Sequence, residues 1–410
     1  MRVPGALAAC AVLVMACVPA EGPAPAEGLR RYQEDLDLLK AHLDVVELAD
    51  ASGAARVALV PAYQGRVMTS TAGGADGWSL GWINEELIAS GETLAHMNPY
   101  GGEDRLWLGP EGGQFAVFFE EGAPFDLEHW QTPPVVDTEP FDLVSADAGE
   151  AVFGRRASLV NRAGFAFDFQ IDRTVRLLGE DDVRSGFGVD VPEGVALVAF
   201  ESENRLTNVG EDPWEKETGL LSIWILGMFP PSPRATVVIP FASGSEEELG
   251  PVVNDAYFGK VPADRLIVES DRLFFRADGR RRSKIGISPR RANPICGSYD
   301  PDRRVLTLVR LTLPTGARDY VNSMWEIQDE PYGGDAVNSY NDGPPESGGK
   351  PLGPFYELES SSPALSLEPG ESHVHVHATA HFQGGPEALD PIARAALGVG
   401  IAEIEAAFGG

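Results

Sequence analysis

The chain has 410 residues, a formal net charge of −30 and a hydrophobic fraction of 43%. Its strong negative charge argues against nucleic acids and anionic membrane surfaces as partners, because like charges repel. The hydrophobic fraction, together with 19 Phe and 7 Trp, argues against disorder. A chain of this length can form one large β domain or two ordinary domains.

The N-terminus has the form of a secretion signal. An apolar run of small residues, Ala6 to Ala16, is too short to span a membrane and ends at Cys17. The letters VMAC at its end resemble a bacterial lipoprotein cleavage box, which predicts a signal peptide over residues 1–16 and a lipid on Cys17. The alternative is a plain signal peptide that is cleaved near Ala20.

The next segments are predicted to be a tether and a helix. Residues 17–28 are rich in Pro, Ala and Gly, as flexible linkers are, and residues 29–410 are predicted to form a single domain. Leu29 to Val46 spaces its apolar residues as an amphipathic helix does. In the processed, acylated chain Cys296 has no disulfide partner, so we expect it to be a small packed side chain.

From about residue 44 the pattern changes to short β-strands. These runs alternate apolar and polar residues or are rich in β-branched and aromatic residues. With 46 Gly and 32 Pro, the chain has the turn content of an antiparallel all-β architecture. Pro386 to Phe408 is predicted to form a C-terminal helical tail. The predicted strands are ARVALVPAY, FAVFF, VALVAFES, LSIWILGMF, ATVVIPF, RLIVES, RLFFRA, VLTLVRLTL, FYELESSS and SHVHVHATAHF.

The segment from Asn98 to Phe119 is the most informative one for function. It places charged groups beside an indole, between glycine pairs, and runs into a predicted strand at Phe115 to Phe119. The indole of Trp107 can stack on the C–H face of a sugar ring, and the Arg105 fork can pair with hydroxyls or a carboxylate. The alternative for Trp107 is a place in the core. The predicted substrate-binding residues of this segment are Glu103, Arg105, Trp107 and Gln114.

Other polar residues of this region have more than one interpretation. Glu103 and Glu111 together are a candidate carboxylate pair for glycosidic acid–base chemistry. His96, just before the segment, is either a donor to a sugar hydroxyl or a locally satisfied loop residue.

Four histidines near the C-terminus share one face of a predicted strand. They are His373, His375, His377 and His381. Because residues two apart on a strand point the same way, we expect His375 and His377 to line the sugar cleft. The alternative is a metal site in which two of the histidines converge with a carboxylate from a neighbouring strand.

Asn341-Asp342-Gly343 is a strong turn signal, and Asp342 is predicted to bind a hydroxyl or a cation there. The residues that flank this turn lack the spacing of an EF-hand loop. We therefore assign no cofactor and no metal to the chain.

Several motifs resemble the galactose-mutarotase-like superfamily. GAARVALVPAYQGRVMTSTAGG resembles its opening strands, GGEDRLWLGPEGGQF the block with its substrate-binding Arg, and LSLEPGESHVHVHATAHF its closing strands. Uncharacterised secreted bacterial proteins of this fold share NPYGGEDR, LSIWILGMF, YNDGP and YELESSSP. The resemblance covers about residues 40–385 and implies an all-β fold, a large antiparallel β-supersandwich.

The resemblance also implies roles for individual residues. Arg105 matches the substrate clamp, and Glu359 or Glu357 the C-terminal catalytic base. His129, or else His96, would be the acid that transfers a proton at the anomeric centre. The sequence departs from the family pattern in two ways. The context EHWQTPP of His129 lacks a His-Gly-Gly motif, and the family's second histidine is missing, since no histidine lies between His129 and His373.

These observations predict an extracytoplasmic carbohydrate-active protein that a lipid tethers to a bacterial membrane, in the outer membrane or periplasm. Its chemistry would be that of an aldose 1-epimerase. A carbohydrate is the expected ligand and the lipid anchor the expected membrane contact. The alternatives are a non-catalytic carbohydrate-binding lipoprotein and a metal-dependent site on the histidine-rich strand.

The lipid anchor has a direct test. We expect Cys17→Ala to abolish labelling of the protein by a palmitate analogue in bacterial cells and to remove the mature form from the membrane fraction, because no thiol remains to be acylated. Cys296→Ala is the matched control and should keep both properties. Labelling that survives in Cys17→Ala, or a wild type cleaved near Ala20 and unlabelled, would contradict the prediction.

Overall fold

The computed structural model describes residues 30–345 and 348–409. The predicted signal peptide, the tether and Cys17 lie outside the described residues. The helices are α1 (Tyr32–His42), α2 (Glu85–Ser90), α3 (Glu180–Phe187), α4 (Glu246–Leu249), α5 (Pro386–Leu397) and α6 (Ile401–Ala406). Among the described residues, no helix is long and apolar enough to cross a membrane.

The β-strands account for most of the regular structure, as the sequence predicts. They are β1 (Val46–Ala49), β2 (Arg56–Val60), β3 (Arg66–Thr71), β4 (Arg105–Gly109), β5 (Asp142–Ala146), β6 (Glu150–Val160), β7 (Ala166–Leu177), β8 (Ala196–Asn208), β9 (Ser222–Phe229), β10 (Thr236–Pro240), β11 (Leu266–Val268), β12 (Arg272–Arg276), β13 (Ser283–Ile287), β14 (Ile295–Asp300), β15 (Val305–Leu311), β16 (Val337–Asn341), β17 (Tyr356–Ser361) and β18 (Ser372–Gln383).

Three antiparallel sheets contain these strands. A ten-stranded sheet has the order β11-β12-β10-β14-β15-β18-β8-β7-β6-β5, and a five-stranded sheet the order β13-β16-β17-β9-β4. The third sheet has the order β1-β2-β3. The fold class is therefore all-β, a large antiparallel sandwich with an N-terminal helix and a C-terminal helical tail, as predicted.

The two large sheets bury a shared apolar core. Leu358 and Val337 of the five-stranded sheet pack in one cluster with Val309 and Phe275 of the ten-stranded sheet. Cys296 lies in the same cluster, fully buried, and burial raises the pKa of its thiol to about 12. The prediction of a packed, unreactive cysteine is thus confirmed.

Helices α5 and α6 cover the outer face of the ten-stranded sheet. Leu389 and Ile404 pack there against Phe382 of β18. The predicted C-terminal helical tail is confirmed. Helix α3, which packs on the same face through Val183 and Phe187, was not predicted because it spans only two turns.

The predicted strand at Phe115–Phe119 is wrong. These residues form turns, in which Val117 N–H donates to the Pro110 carbonyl and Ala116 N–H to that of Gly113. Gly113 has a φ of 86°, a left-handed conformation that ends strand geometry. The apolar residues are still buried, because Phe118 packs in an aromatic cluster instead of a pleated sheet.

A buried ion pair connects the start of β4 to the ten-stranded sheet. The Arg173 Nη2 atom lies 2.6 Å from Asp104 Oδ1, and both side chains are fully buried. Asp104 Oδ2 accepts a hydrogen bond from Ser202 Oγ at 2.7 Å, and Arg173 also donates to Asn204. Burying two charges is costly, so the network depends on every partner being present.

Removal of one partner should therefore destabilise the fold strongly. We expect Arg173→Met to lower the free energy of unfolding by about 3–5 kcal/mol, because Asp104 is left buried without its cation. Arg184→Met, on an exposed arginine that pairs with Asp181, is the control and should change stability little. Denaturant titration of both variants measures the difference, and an equal effect would contradict the role of the network.

Candidate functional site

One face of the five-stranded sheet carries charged and aromatic side chains next to buried apolar ones. Arg105 of β4 lies opposite Leu226 of β9, which lies opposite Glu359 of β17, which lies opposite Asn338 of β16. Residues that face each other across antiparallel strands project on the same side. Arg105 and Glu359 are therefore on one face, although most of the chain separates them.

The adjacent row of the same face adds a second carboxyl group and a cation. Glu357 lies opposite Met228 and Tyr340, and Tyr340 lies opposite Lys284 of β13. Leu358, between the two glutamates, points to the opposite face and into the core. Because side chains alternate along a strand, Glu357 and Glu359 lie on one face of β17 and Leu358 lies on the other.

Arg105 and Glu357 form a buried ion pair. The Arg105 Nη2 atom lies 2.9 Å from Glu357 Oε1, and both side chains are almost completely buried. The Arg105 guanidinium carbon also lies 4.2 Å from the ring centroid of Trp107, the geometry of a cation–π contact. Arg105 and Glu357, which are far apart in the sequence, are therefore in direct contact.

Glu359 has its own set of donors. Its Oε2 atom accepts hydrogen bonds from Lys284 Nζ at 2.8 Å and from the indole N–H of Trp224 at 2.9 Å. Lys284 Nζ also lies over the Trp224 ring, at 4.6 Å from its centroid, and over the Tyr257 ring at 5.5 Å. One oxygen of this carboxylate therefore binds an ammonium group and an indole N–H, and the ammonium group lies over two aromatic faces.

Further aromatic side chains cover this end of the site. The Trp130 ring stacks on Phe118 and on Trp325, and its centroid lies 6.4 Å from that of Trp107. The Trp107 ring meets Trp224 edge to face. Trp107 and Trp224 belong to β4 and β9, whereas Phe118, Trp130 and Trp325 come from the segments after β4 and before β16.

Glu357 and Glu111 have raised pKa values. Burial raises the pKa of Glu357 to about 8, with Arg105 opposing the shift and Glu359 adding to it. Burial raises the pKa of Glu111 to about 7, although Lys284 and an indole N–H of Trp325 lower it. Burial thus favours the protonated form of Glu357, whereas the ion pair with Arg105 favours the ionised form.

Burial also raises the pKa of Asp335, to about 6. Its Oδ2 atom accepts a hydrogen bond from the Tyr257 hydroxyl at 2.7 Å. Asp335 lines a small cavity with Lys284 and Trp224, on the same face of the sheet. The cavity therefore borders the Glu359 cluster.

Several buried polar atoms of this face have no hydrogen-bond partner among the described residues. They are Arg105 Nε, Trp107 Nε1, Ser222 Oγ and Glu359 Oε1. A buried polar group without a partner costs free energy, and ordered water or a ligand can supply the missing hydrogen bond. Both donors and acceptors are available for a polyhydroxylated molecule.

The other predicted residues of the Asn98–Phe119 segment do not reach this face. Glu103 Oε2 lies 2.7 Å from His381 Nε2 and accepts a hydrogen bond from Ser70, toward the ten-stranded sheet. Glu103 and Glu111 thus belong to different clusters and form no glycosidic carboxylate pair. Gln114 exchanges hydrogen bonds with the backbone of Gln328, which holds the two covering segments together.

Asp342 lies at the end of β16, next to the site. Its Oδ1 atom accepts a hydrogen bond from the Tyr340 hydroxyl at 2.6 Å and lies 3.6 Å from Arg282. Its Oδ2 atom accepts the N–H of Gly353 at 2.8 Å. Its neighbours satisfy this carboxylate, and its predicted role in hydroxyl or cation binding remains a prediction.

The two histidines predicted as the acid make their contacts elsewhere. His129 is exposed and pairs with Asp126 at 2.6 Å, a hydrogen bond that raises the pKa of the imidazole. His96 Nδ1 lies 2.8 Å from the Trp130 carbonyl oxygen. Neither forms a hydrogen bond with Glu357 or Glu359, so the sequence spacing alone does not bring them to the carboxylates.

His375 and His377 lie on the other side of β17. His375 Nε2 and His377 Nδ1 each lie 2.8 Å from Ser360 Oγ, and Ser360 alternates with Glu359 along the strand. Both are fully buried, and burial lowers the pKa of both imidazoles, to about 3 and about 4. They are packed inside the sandwich and do not face Arg105, which corrects the expectation that they line its cleft.

The alternative of a metal site on this strand also lacks its ligands. Over residues 30–345 and 348–409, no three His, Cys, Asp or Glu side chains converge as a metal would require. His381, the fourth histidine, binds Glu103 on one side and Thr307 Oγ1 on the other, at 2.9 Å.

Sequence reasoning missed several residues of the site, namely Lys284, Trp224, Trp325 and Asp335. Lys284 had a weak signal, since a charged residue in SKIGI interrupts an otherwise apolar strand. Trp224 was within a predicted strand, LSIWILGMF, but nothing local indicates which face it occupies. Register decides this, and register depends on strands far away in the chain.

Comparison with solved structures finds distant likenesses. The chain is similar to a protein of Escherichia coli K12 proposed to be an aldose 1-epimerase, with 12% identity and a TM-score of 0.49 over 82% of this chain and 98% of that one. It is also similar to a galactose mutarotase-like protein from Lactobacillus casei, with 11% identity and a TM-score of 0.48 over 83% of this chain and 100% of that one.

No curated protein matches the chain. A family model does match, over residues 30–408, which is nearly all of the described sequence. The chain belongs to the family of unknown function DUF6786.

Proposed function

We propose that this chain is a carbohydrate-active protein whose ligand binds on the polar face of the five-stranded sheet. The observation that carries the proposal is the buried group formed by Arg105–Glu357 and Lys284–Glu359 among four indoles. Sugar sites combine aromatic platforms with planar polar groups that bind hydroxyls from several directions. The partnerless Arg105 Nε and Glu359 Oε1 atoms provide one donor and one acceptor for them.

The proposed reaction is proton transfer at an anomeric centre, as in an aldose 1-epimerase. Ring opening needs a proton for the ring oxygen and an acceptor for the proton of the anomeric hydroxyl. Glu357, with its pKa raised to about 8, is the acid, and Glu359 Oε1 is the acceptor. Adjacent carboxyl groups in different environments are a common basis for such paired roles.

A non-catalytic carbohydrate-binding protein is the second candidate. It is favoured by one observation: among the described residues, no histidine forms a hydrogen bond with Glu357 or Glu359. In such a protein the same residues would bind the sugar, but the groups that transfer protons at the anomeric centre would be incomplete. Attachment of the protein to the outside of a bacterial membrane through Cys17 remains part of the proposal in both cases.

The clamp role of Arg105 leads to a binding prediction. We expect Arg105→Met to weaken the binding of monosaccharides by about tenfold to a hundredfold, because a buried charged donor is lost. Isothermal calorimetry against a panel of aldoses measures this. Arg184→Met is the matched control and should bind as the wild type does.

Because Arg105→Met also leaves Glu357 without its cation, the double variant Arg105→Met/Glu357→Gln serves as a check on folding. This double variant should fold, as measured by circular dichroism, and should still bind weakly. Unchanged sugar affinity in a folded variant would contradict the site.

The acid role of Glu357 leads to a kinetic prediction. We expect Glu357→Gln to slow anomerisation by about a hundredfold or more, the usual contribution of one acid–base group, with little loss of sugar binding. In the wild type the rate should fall as the pH rises through about 8, since the group then loses its proton. NMR exchange between α and β anomers measures both effects.

Equal anomerisation rates with and without wild-type protein would exclude the catalytic proposal. If calorimetry still detects sugar binding in that case, the non-catalytic candidate is supported.

A further inference from the structure

The proposed site is closed to a molecule of the size of a sugar. Arg105, Glu357 and Glu359 are buried, and the cavity that borders the Glu359 cluster has a volume of about 10 Å³. That volume holds about one water molecule, whereas pockets for small ligands usually have about 300–1,000 Å³. A sugar therefore reaches this face only if part of its cover moves.

Tyr257 forms one wall of this cavity. Lys284 and Trp224, which also line it, are the two residues that donate hydrogen bonds to Glu359 Oε2. The Lys284 ammonium group lies 5.5 Å from the centroid of the Tyr257 ring. If Tyr257 moves away, the cavity widens directly beside the two donors of Glu359.

The wall residue belongs to an exposed loop, Asp255–Lys260, which we call the lid loop. Tyr257 is partly buried, whereas Ala256 and Phe258 on either side of it are exposed. The Phe258 ring lies edge to face on Tyr340, with 5.8 Å between centroids, and the residue remains 48% exposed. Tyr257 thus separates the cavity from solvent.

The hydrogen bonds of the lid loop to the rest of the protein come from one side chain. The Tyr257 hydroxyl donates to Asp335 Oδ2 at 2.7 Å and accepts a hydrogen bond from Asn338 Nδ2 at 3.4 Å. In the part of the chain that the structure describes, no backbone group of the loop bonds to a residue outside 254–260. A segment with so few hydrogen bonds to its surroundings opens at low cost.

Both ends of the lid loop are fixed. Asn254 exchanges two backbone hydrogen bonds with Gly286 of β13, each of 2.8 Å, and Val261 is buried in the core that the two large sheets share. Gly259, near the second end, has a φ of 85° and open space around it. The loop can therefore change its backbone conformation while β13 stays in place.

The segments after β4 and before β16, which also cover the site, are joined to each other. The Gln114 side chain donates to the Gln328 carbonyl oxygen and accepts the Gln328 N–H. The Trp130 and Trp325 rings of the same two segments stack. Movement of either segment breaks these contacts, so the lid loop is the part of the cover that moves most easily.

We propose that Asp255–Lys260 is a lid that moves away from Lys284 to admit the ligand, and that the Tyr257 hydroxyl holds it closed on Asp335. This inference rests on the proposed carbohydrate site and adds how a sugar enters it. Ser222 Oγ, which lines the same cavity, has no hydrogen-bond partner among the described residues. Opening of the lid makes this hydroxyl and the Asp335 carboxyl group available to a sugar.

Thiol labelling measures the opening without a ligand. Ser222→Cys places a thiol on the wall of the cavity, where methyl methanethiosulfonate reacts with it only when the lid is open. In this background we expect Tyr257→Phe to raise the labelling rate about tenfold or more, because the closed state loses a hydrogen bond to a carboxylate. Tyr332→Phe, which removes a hydroxyl bound to the Lys216 carbonyl oxygen outside the lid loop, is the matched control and should leave the rate unchanged.

The buried thiol of Cys296 is an internal reference, because it reacts only on global unfolding. The thiol of Ser222→Cys should react faster than Cys296 but slower than a thiol in the denatured chain. Equal rates at the two positions would overturn the lid, and so would a rate that Tyr257→Phe leaves unchanged. A rate equal to that of the denatured chain would also overturn it, since the cavity would then be open at all times.

Sugar binding separates the lid from the proposed function. Stopped-flow measurements with D-glucose and D-galactose should give faster association for Tyr257→Phe than for the wild type, because the binding-competent open state is more populated. If labelling rises but association stays unchanged, the loop opens without admitting the sugar, and its role as a lid is excluded. If neither sugar binds, the proposed function fails, whereas the labelling rates still decide whether the loop opens.

Discussion

The polar face depends on the register of β9 between β4 and β17. Because Leu226 lies opposite both Arg105 and Glu359, the arginine and the glutamates project on one side of the sheet. A shift of either pairing by one residue would turn every side chain of that strand to the other face. The apolar alternation of β17 prevents such a shift, since Leu358 would then leave the core that the two sheets share.

Placing charges on this face has an energetic cost that the fold offsets elsewhere. Buried ion pairs rarely stabilise a protein relative to apolar packing, so their presence away from solvent favours a functional explanation. In another buried pair, Asp104–Arg173, hydrogen bonds with Ser202 and Asn204 satisfy the charges. The Glu359 cluster differs because an oxygen of a fully buried carboxylate remains without a partner. One network has a partner for each charged group, whereas the other contains a buried carboxylate oxygen without a hydrogen-bond partner in the described part of the chain.

The covering segments connect the aromatic residues to the electrostatics of the site. Trp130 and Trp325 come from loops, but they stack on each other and on Phe118. Their rings exclude water from the carboxylates, and this low-dielectric environment raises the pKa of Glu357 and Glu111. The failed prediction of a strand at Phe115–Phe119 has the same origin: those residues are apolar because they build this cover, not because they pair in a sheet.

The sequence by itself determined the all-β architecture, the terminal helices, the packed Cys296 and the identity of Arg105, Glu357 and Glu359 as residues of interest. Local signals suffice for these, since alternation, turn residues and motif letters are read over short stretches. It missed β6 and β7, whose exposed faces carry many charged residues, and it placed His375 and His377 beside the glutamates. Only the tertiary structure decided which side of β17 each residue occupies and brought Lys284 and Trp224 to Glu359. The physical reason is that register and loop closure depend on contacts between distant parts of the chain, which no local pattern specifies.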